Sequence, residues 1–395
     1  MPATFCRSER ASAVKLSEIV AISEAVQSKR SAGEDILSFG TGEPDFPTPN
    51  HIIDAAHSAM QRGETTYPPT QGTPALRNAI ADTADADPAD VIVSTGAKQV
   101  LSNAFLATLN PDDEVIVPAP YWTSYADIVA FCQARFVPVA CSAETEFKLT
   151  PQQLAKAITP KTKWLLLNTP GNPSGALYSA TELADLAEVL RKHPHVWLLS
   201  DEIYQHISYT SFTSFRDVAP DLISRMLIVN GVSKAYAMTG WRLGWGIGPA
   251  ELIKTMVGIQ GQSTSGASSI SQAAALAALT GPQDLLAERL QSFSERRDYV
   301  VCALNAAQLL DCQTPGGACY VFPSCVRTFG MQAAAGKTIT SDADFCSYML
   351  AEAGVALVPG RAFGLPGHFR LSYAYAMDEL KEGCARITRA LSALS

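Results

Sequence analysis

Between about residues 90 and 250 the chain alternates short runs that are apolar on both faces with longer stretches that are apolar at every third or fourth position. The runs are Val91-Ile92-Val93-Ser94, Glu114-Val115-Ile116-Val117, Lys163-Trp164-Leu165-Leu166-Leu167, Val196-Trp197-Leu198-Leu199 and Met226-Leu227-Ile228-Val229. A strand without polar alternation is covered on both faces. The pattern therefore predicts an α/β fold in which a mostly parallel sheet lies between helices.

The helical stretches carry their own punctuation. Ser179 with Glu182 three residues on reads as a capping box, Leu183, Leu186, Ala187 and Leu190 form one stripe, and His193-Pro194 stops the helix. A second helix is predicted near 97–109, with Val100, Leu101, Ala104 and Phe105 among its apolar positions. The two chain ends differ from this core. The segment before residue 48 reads as helical and then breaks at Gly40-Thr41-Gly42-Glu43-Pro44-Asp45-Phe46-Pro47. After residue 282 a long helix places Leu286, Leu290, Phe293, Val300 and Leu304 inward, and mixed α+β sequence follows. The expected division is a large domain over 48–282 and a smaller α+β domain built from 1–47 and 283–395.

Composition narrows the class. Of 395 residues 47% are hydrophobic and 17% charged, which fits a globular protein with a sizeable core. The net charge of −8 is spread without a basic block, which argues against a nucleic-acid partner and leaves room for a local anion pocket. Nine scattered cysteines without a C-x-x-C pair point to free thiols in a reducing, cytoplasmic compartment, with neither disulfide framework nor metal site. No apolar stretch approaches the roughly 20 residues of a membrane span, and Met1 to Lys15 does not read as a secretory signal.

In open α/β sheets ligands bind beyond the carboxyl ends of the strands, and polar residues gather there in this chain. The run 226–230 leads into Ser233-Lys234, with Arg242 eight positions after the lysine. An amine that forms an imine with a carbonyl cofactor, beside a guanidinium that clamps a phosphate, has this arrangement. The run ending at Ser200 continues as Asp201-Glu202-Ile203-Tyr204. Asp201 reads either as a helix N-cap or as a carboxylate facing a protonated ring nitrogen, with Tyr204 one helical turn on. Asn168-Thr169-Pro170-Gly171-Asn172-Pro173-Ser174-Gly175 is a sharp turn that fixes the Asn172 amide, and Asn172-Pro173 is a candidate cis peptide. Gly96-Ala97-Lys98 opens a helix straight after a strand. Lys98 in a first turn is unfavourable unless an anion sits there, and an exposed surface lysine is the plainer alternative. Arg370, in Phe369-Arg370-Leu371-Ser372-Tyr373, offers a fork of donors to a carboxylate. Glu43, Asp45 and Glu202 read as structural.

Gly-Glu-Pro-Asp-Phe at 42–46, Gly-Ala-Lys-Gln at 96–99, Pro-Tyr-Trp at 120–122, Asn-Pro-Ser-Gly at 172–175, Ser-Asp-Glu-Ile-Tyr at 200–204, Ser-Lys-Ala-Tyr-Ala-Met-Thr-Gly-Trp-Arg at 233–242 and Phe-Arg-Leu-Ser-Tyr-Ala at 369–374 occur in one order. Together they resemble the class I, fold type I pyridoxal-phosphate aminotransferases, and within them the bacterial Iβ subgroup of aspartate aminotransferases. The likeness runs from about Lys15 to the C-terminus. It implies a mostly parallel seven-stranded sheet with a smaller second domain, and pyridoxal 5'-phosphate bound covalently at Lys234. Lys234 would also shuttle the proton, and Asp201 would keep the ring nitrogen protonated. Tyr204 and Asn172 would bond the ring 3-oxygen and Trp122 would stack on the ring. Arg242, Ser233 and the backbone of Gly96, Ala97 and Lys98 would hold the phosphate, joined by Tyr67 from the second subunit of a homodimer with shared active sites. Arg370, the Gly42 backbone and Asn172 would take the substrate α-carboxylate.

The resemblance further implies amino transfer between L-aspartate and 2-oxoglutarate, with Lys98 and the N-terminal segment, Lys15 and Ser17, near the distal carboxylate. That segment departs from the Lys-Pro-Ser-Ala-Thr of relatives, reading Lys15-Leu16-Ser17-Glu18-Ile19. Prephenate or aromatic amino acids are the nearest rival substrates. A β-C–S lyase of the same fold, which needs no Lys98, is the rival reaction.

Overall fold

The computed structural model describes residues 5–13, 18–333 and 336–395. Seven strands form the central sheet: β1 (Val91–Ser94), β2 (Glu114–Ala119), β3 (Arg135–Ala140), β4 (Thr162–Asn168), β5 (Trp197–Asp201), β6 (Met226–Gly231) and β7 (Gly244–Ile247). Their order is β1-β7-β6-β5-β4-β2-β3. The β2–β3, β2–β4, β4–β5 and β5–β6 pairs are parallel, and β7 runs antiparallel to both β1 and β6. The sequence-predicted runs all lie in this sheet.

Successive residues of the inner strands feed two cores. Leu165, Leu167, Leu198 and Ile228 face one side, where helices Asn50–Gln61 and Ser269–Thr280 and helix α2 (Ala180–Arg191) pack. Trp164, Leu166, Leu199, Leu227 and Val229 face the other, against α1 (Ala97–Thr108) and helix Ala250–Ser263. This two-sided burial is why those strands lack polar positions. Helix α2 begins with the expected box: Ser179 accepts from the Glu182 amide, and the Glu182 carboxylate accepts from Ser179 N at 2.8 Å. It ends at Arg191, just before His193-Pro194.

A third core gathers Phe293, Val300, Leu304, Phe345, Met349, Leu371 and Ile387 around a three-stranded antiparallel sheet of β8 (Tyr320–Val321), β9 (Val358–Pro359) and β10 (Phe369–Ser372), in the order β9-β10-β8. Helix α3 (Asp284–Ala306) connects the cores, since Leu286 packs against the first and Leu290 against the third. No described helix is long and apolar enough to cross a membrane.

Candidate active site

Because β1 runs in the same direction as β2, β4, β5 and β6, the carboxyl ends of all five lie on one edge of the sheet. That edge delivers Ala97 and Lys98 after β1, Trp122 after β2, Asn172 after β4, Asp201 at the end of β5, and Ser233 and Lys234 after β6. They line a cavity of about 330 Å³, closed from the third core by Arg370 and Tyr320 and entered beside Arg242 and Ile19.

Asp201 is buried at 3% exposure. Its Oδ2 accepts from the Tyr125 hydroxyl at 2.7 Å and its Oδ1 from the Ile203 amide at 3.3 Å. Burial pushes its pKa up to about 6, opposed by those two bonds and by the charge of Lys234. A cation placed against this carboxylate restores its ionised form. The residues that follow are not helical as expected. They form turns, with Gln205 N donating to Glu202 O at 2.9 Å and Ile207 N to Tyr204 O at 2.7 Å. The turn nevertheless brings the buried Tyr204 to the cavity, where its hydroxyl lies 2.7 Å from that of Tyr320.

Lys234 is half-buried, and its Nζ donates to Gly42 O at 2.7 Å. Desolvation lowers its pKa, Cys319 opposes this, and the positive charge of Arg370 adds to it. A lysine made easier to deprotonate is suited to act as nucleophile and base.

Arg370 is 2% exposed. It lies over the Tyr320 ring at 4.7 Å and the Phe363 ring at 4.9 Å. Nη1 donates to Asn172 Oδ1 at 2.9 Å, Nη2 donates to Gly40 O, and the buried Nε has no partner. A buried guanidinium with an unmet donor, and with no acid paired to it among the described residues, suits an incoming carboxylate. Asn172 thus meets Arg370 directly, and Asn172-Pro173 is cis, as are Ala119-Pro120 and Thr169-Pro170.

At the cavity mouth α1 starts at Ala97, so its first amides point outward without an intrahelical acceptor. A Cβ on Gly96 would come within 2.5 Å of Arg242 Nη2, so glycine keeps the guanidinium close to that helix end. Arg242 has φ 54°, an uncommon conformation for a residue other than glycine. Its exposed side chain donates through Nη1 to Thr239 O at 2.6 Å. Lys98 is exposed and holds its ammonium 4.9 Å from the centre of the Trp122 ring. Partial desolvation and then Arg242 lower its pKa, while Asp127 raises it. These residues fit a phosphorylated pyridine aldehyde. Outward amides and Arg242 would meet a phosphate, Trp122 would offer a ring face, Asp201 would meet a ring N–H, and Lys234 would meet the carbonyl.

Tyr67 is 92% exposed and does not line this cavity, and Lys15 and Ser17 lie outside the described residues. Tyr125 and Tyr320, by contrast, belong to the site and carry no local signal in the sequence. Their roles emerge only where the chain brings β8 and the residues after β2 against β5.

Glu43 accepts from Thr239 Oγ1, and Asp45 forms a two-point pair with Arg296 at 2.7 and 3.0 Å. Glu202 is 1% exposed and accepts from Ser200 Oγ at 2.8 Å, Ser214 Oγ at 2.9 Å and Phe215 N at 3.3 Å. Burial raises its pKa from 4.5 to about 7 against those three bonds. Between these values the folded state keeps a proton that the unfolded chain has lost, so stability falls as pH rises, by about 3 kcal/mol in all. Glu202→Gln keeps an acceptor and cannot ionise. Relative to the parent it is expected to gain about 3 kcal/mol between pH 4.5 and pH 8, measured by urea unfolding. Equal slopes for parent and variant would refute this account of Glu202.

Residues 34–387 match the family model described as aminotransferase class I and II. The chain is 50% identical over 401 residues to the aspartate aminotransferase of Rhizobium meliloti strain 1021, covering 100% of this chain and 98% of the relative. It is 49% identical over 390 residues to the aspartate/prephenate aminotransferase of Cereibacter sphaeroides, covering 97% and 98%. The crystal structure of the aspartate aminotransferase from Rhizobium meliloti superposes with a TM-score of 0.97 at 50% identity, covering 99% of this chain and 100% of that one. With the match extending through both sheets and every strand end that lines the cavity, this chain belongs to the class I and II aminotransferase family.

Proposed function

We propose that the chain is an aspartate aminotransferase that moves the amino group of L-aspartate to 2-oxoglutarate with pyridoxal 5'-phosphate as cofactor. The observation that carries this reading is that two cations, Arg370 and Lys98, line one cavity together with Lys234. A substrate with two carboxylates meets both. When bound, the cofactor supplies a carbonyl that condenses with amines and a ring that accepts the electrons left at the substrate Cα.

The protein's own groups do the rest. Lys234, held by the Gly42 carbonyl and eased toward its neutral form by burial, takes the proton from the substrate Cα and returns it on the cofactor side. Asp201, fixed by Tyr125 and the Ile203 amide, keeps positive charge on the ring nitrogen. Tyr204 and Asn172 would bond the 3-oxygen, and Trp122 would cover the ring. Arg242, Ser233 and the helix end at Gly96, Ala97 and Lys98 would hold the phosphate. Arg370, aided by Asn172 and Gly42, grips the α-carboxylate.

We assign the same wider organisation as the sequence suggests: domains over 48–282 and over 1–47 with 283–395, in a homodimer. The third core, separate from the two that cover the central sheet, supports the division. The exposed Tyr67, which shares a surface hollow with Ser58, Arg62 and Thr66, supports a partner that covers this face and brings its own Tyr67 to the phosphate. The cysteines, all free, fit a cytoplasmic enzyme.

A second reading is favoured by Ile19, which lines the same cavity as Lys98 and Trp122. An apolar side chain in a cavity that also holds cations suits a larger dicarboxylate with a hydrocarbon ring, such as prephenate, the substrate in the name of the Cereibacter sphaeroides relative. Half-reaction spectroscopy with aspartate, glutamate, prephenate with an amino donor, and phenylalanine tests both readings. Much faster conversion by aspartate and glutamate than by phenylalanine supports the first, and fast prephenate amination supports the second. Faster release of pyruvate and ammonia from cysteine conjugates would overturn transferase function. Lys98→Ala is expected to lower kcat/KM for dicarboxylates about 10- to 100-fold, the scale of one charged hydrogen bond, with little change for phenylalanine. Equal loss for every donor would remove Lys98 from the distal site.

A further inference from the structure

We propose that Tyr320 is a positioning residue that orients the Tyr204 hydroxyl toward the cofactor and couples it to the Arg370 carboxylate grip. The proposal rests on the function above, because it takes a cofactor with a ring 3-oxygen to lie beside Tyr204.

Tyr320 is 1% exposed and sits where three parts of the site meet. In β8 it stands opposite Ser372 of β10, two residues from Arg370, and the Arg370 guanidinium lies 4.7 Å above its ring. Its hydroxyl is 2.7 Å from the Tyr204 hydroxyl, with the two rings edge to face at 5.8 Å. The same hydroxyl occupies the space that a Cβ on Gly42 would need, and the Gly42 carbonyl accepts from Lys234. Glycine at 42 is therefore required by Tyr320.

A phenylalanine would fill this volume and stack on Arg370 equally well, so packing does not account for the hydroxyl. A buried hydroxyl needs a partner, and here it is another hydroxyl. Tyr204 has one proton. When Tyr204 donates to the 3-oxygen, its remaining capacity is to accept, so Tyr320 must donate to it. Linked donors of this kind strengthen one another.

The test uses purified holoenzyme. Tyr320→Phe keeps the ring and the stack and removes only the donor. Weakening the donor to the 3-oxygen leaves more negative charge there, which favours the protonated form of the coloured cofactor. The pH midpoint of its visible absorption is expected to rise by about half a unit to one unit, and kcat to fall about three- to tenfold, as for loss of one hydrogen bond. KM for aspartate should stay within about twofold, because the Arg370 stack remains. Tyr320→Leu, which loses the ring as well, should also raise KM. Tyr204→Phe should move the midpoint further in the same direction, and the double variant no further than Tyr204→Phe alone.

An unmoved midpoint in Tyr320→Phe, or additive shifts in the double variant, overturns the coupling. A Tyr320→Leu variant with unchanged KM overturns the link to Arg370. In either case a parent enzyme that still transaminates leaves the proposed function standing, whereas a parent that binds no cofactor overturns both.

Discussion

Lys234→Ala is expected to abolish amino transfer while leaving the fold intact. The side chain makes one hydrogen bond, to the Gly42 carbonyl, and faces a cavity rather than a packed core. Its loss therefore has no cavity or buried-charge mechanism by which to destabilise the protein strongly. For catalysis the change removes both the nucleophile and the base. A positioned acid–base group alone contributes up to about 10⁴-fold, so kcat should fall by at least about that factor. Lys234→Arg is the sharper probe. It keeps the positive charge and the reach, but a guanidinium does not give up its proton, so it should be as inactive as the alanine variant. The measurement is the single-turnover rate with aspartate, accompanied by far-ultraviolet circular dichroism. Borohydride trapping followed by peptide mapping should place the cofactor label on Lys234 in the parent. If Lys234→Arg keeps more than about 1% of the rate, proton transfer belongs to another group.

Lys234 and Asp201 stand out in the chain because one follows and the other closes a strand whose own pattern is unmistakable. A fully apolar run names a buried strand, and polar residues after it mark the binding edge. The two strands that the pattern did not announce are illegible for physical reasons. Strand β7 contains Gly244 and Gly246, where added side chains would meet the backbone of Ala97 and Gly96 and the side chains of Val100 and Leu227. Close packing there demands residues of low strand propensity. Strand β3 lies at the sheet edge, carries Pro138 and alternates with solvent, so it lacks the signature of its neighbours.

The site shows the same split. The residues assigned charge or a cofactor bond stand in recognisable local settings, whereas Tyr125 and Tyr320 reach the cavity through tertiary contacts with Asp201 and Tyr204. The turn after β5 corrects the local reading as well. Tyr204 reaches the cavity because the chain turns after β5, with Gln205 N bonding back to Glu202 O, and no helix brings it there.

Arg370→Lys should reduce kcat/KM for every amino acid alike, which distinguishes this residue from Lys98. The guanidinium is flat between the Tyr320 and Phe363 rings and tied to Asn172 Oδ1 and Gly40 O, with Nε buried and unmet. Lysine keeps the charge but cannot present two parallel donors, stack between rings and still serve both existing acceptors. Breaking a buried, hydrogen-bonded charge pair costs about 3–5 kcal/mol, which corresponds to about 10²- to 10⁴-fold in kcat/KM. The α-carboxylate is common to aspartate, glutamate and phenylalanine, so all three should lose the same factor. A partial loss of dicarboxylates alone is the expectation for Lys98→Ala. If instead Arg370→Lys spares phenylalanine and Lys98→Ala does not, the two cations have exchanged roles. The substrate would then lie reversed in the cavity, its α-carboxylate at the Lys98 end. The paired kcat/KM measurements decide between these orientations without further structural work, because each cation can be weakened separately while the other is retained.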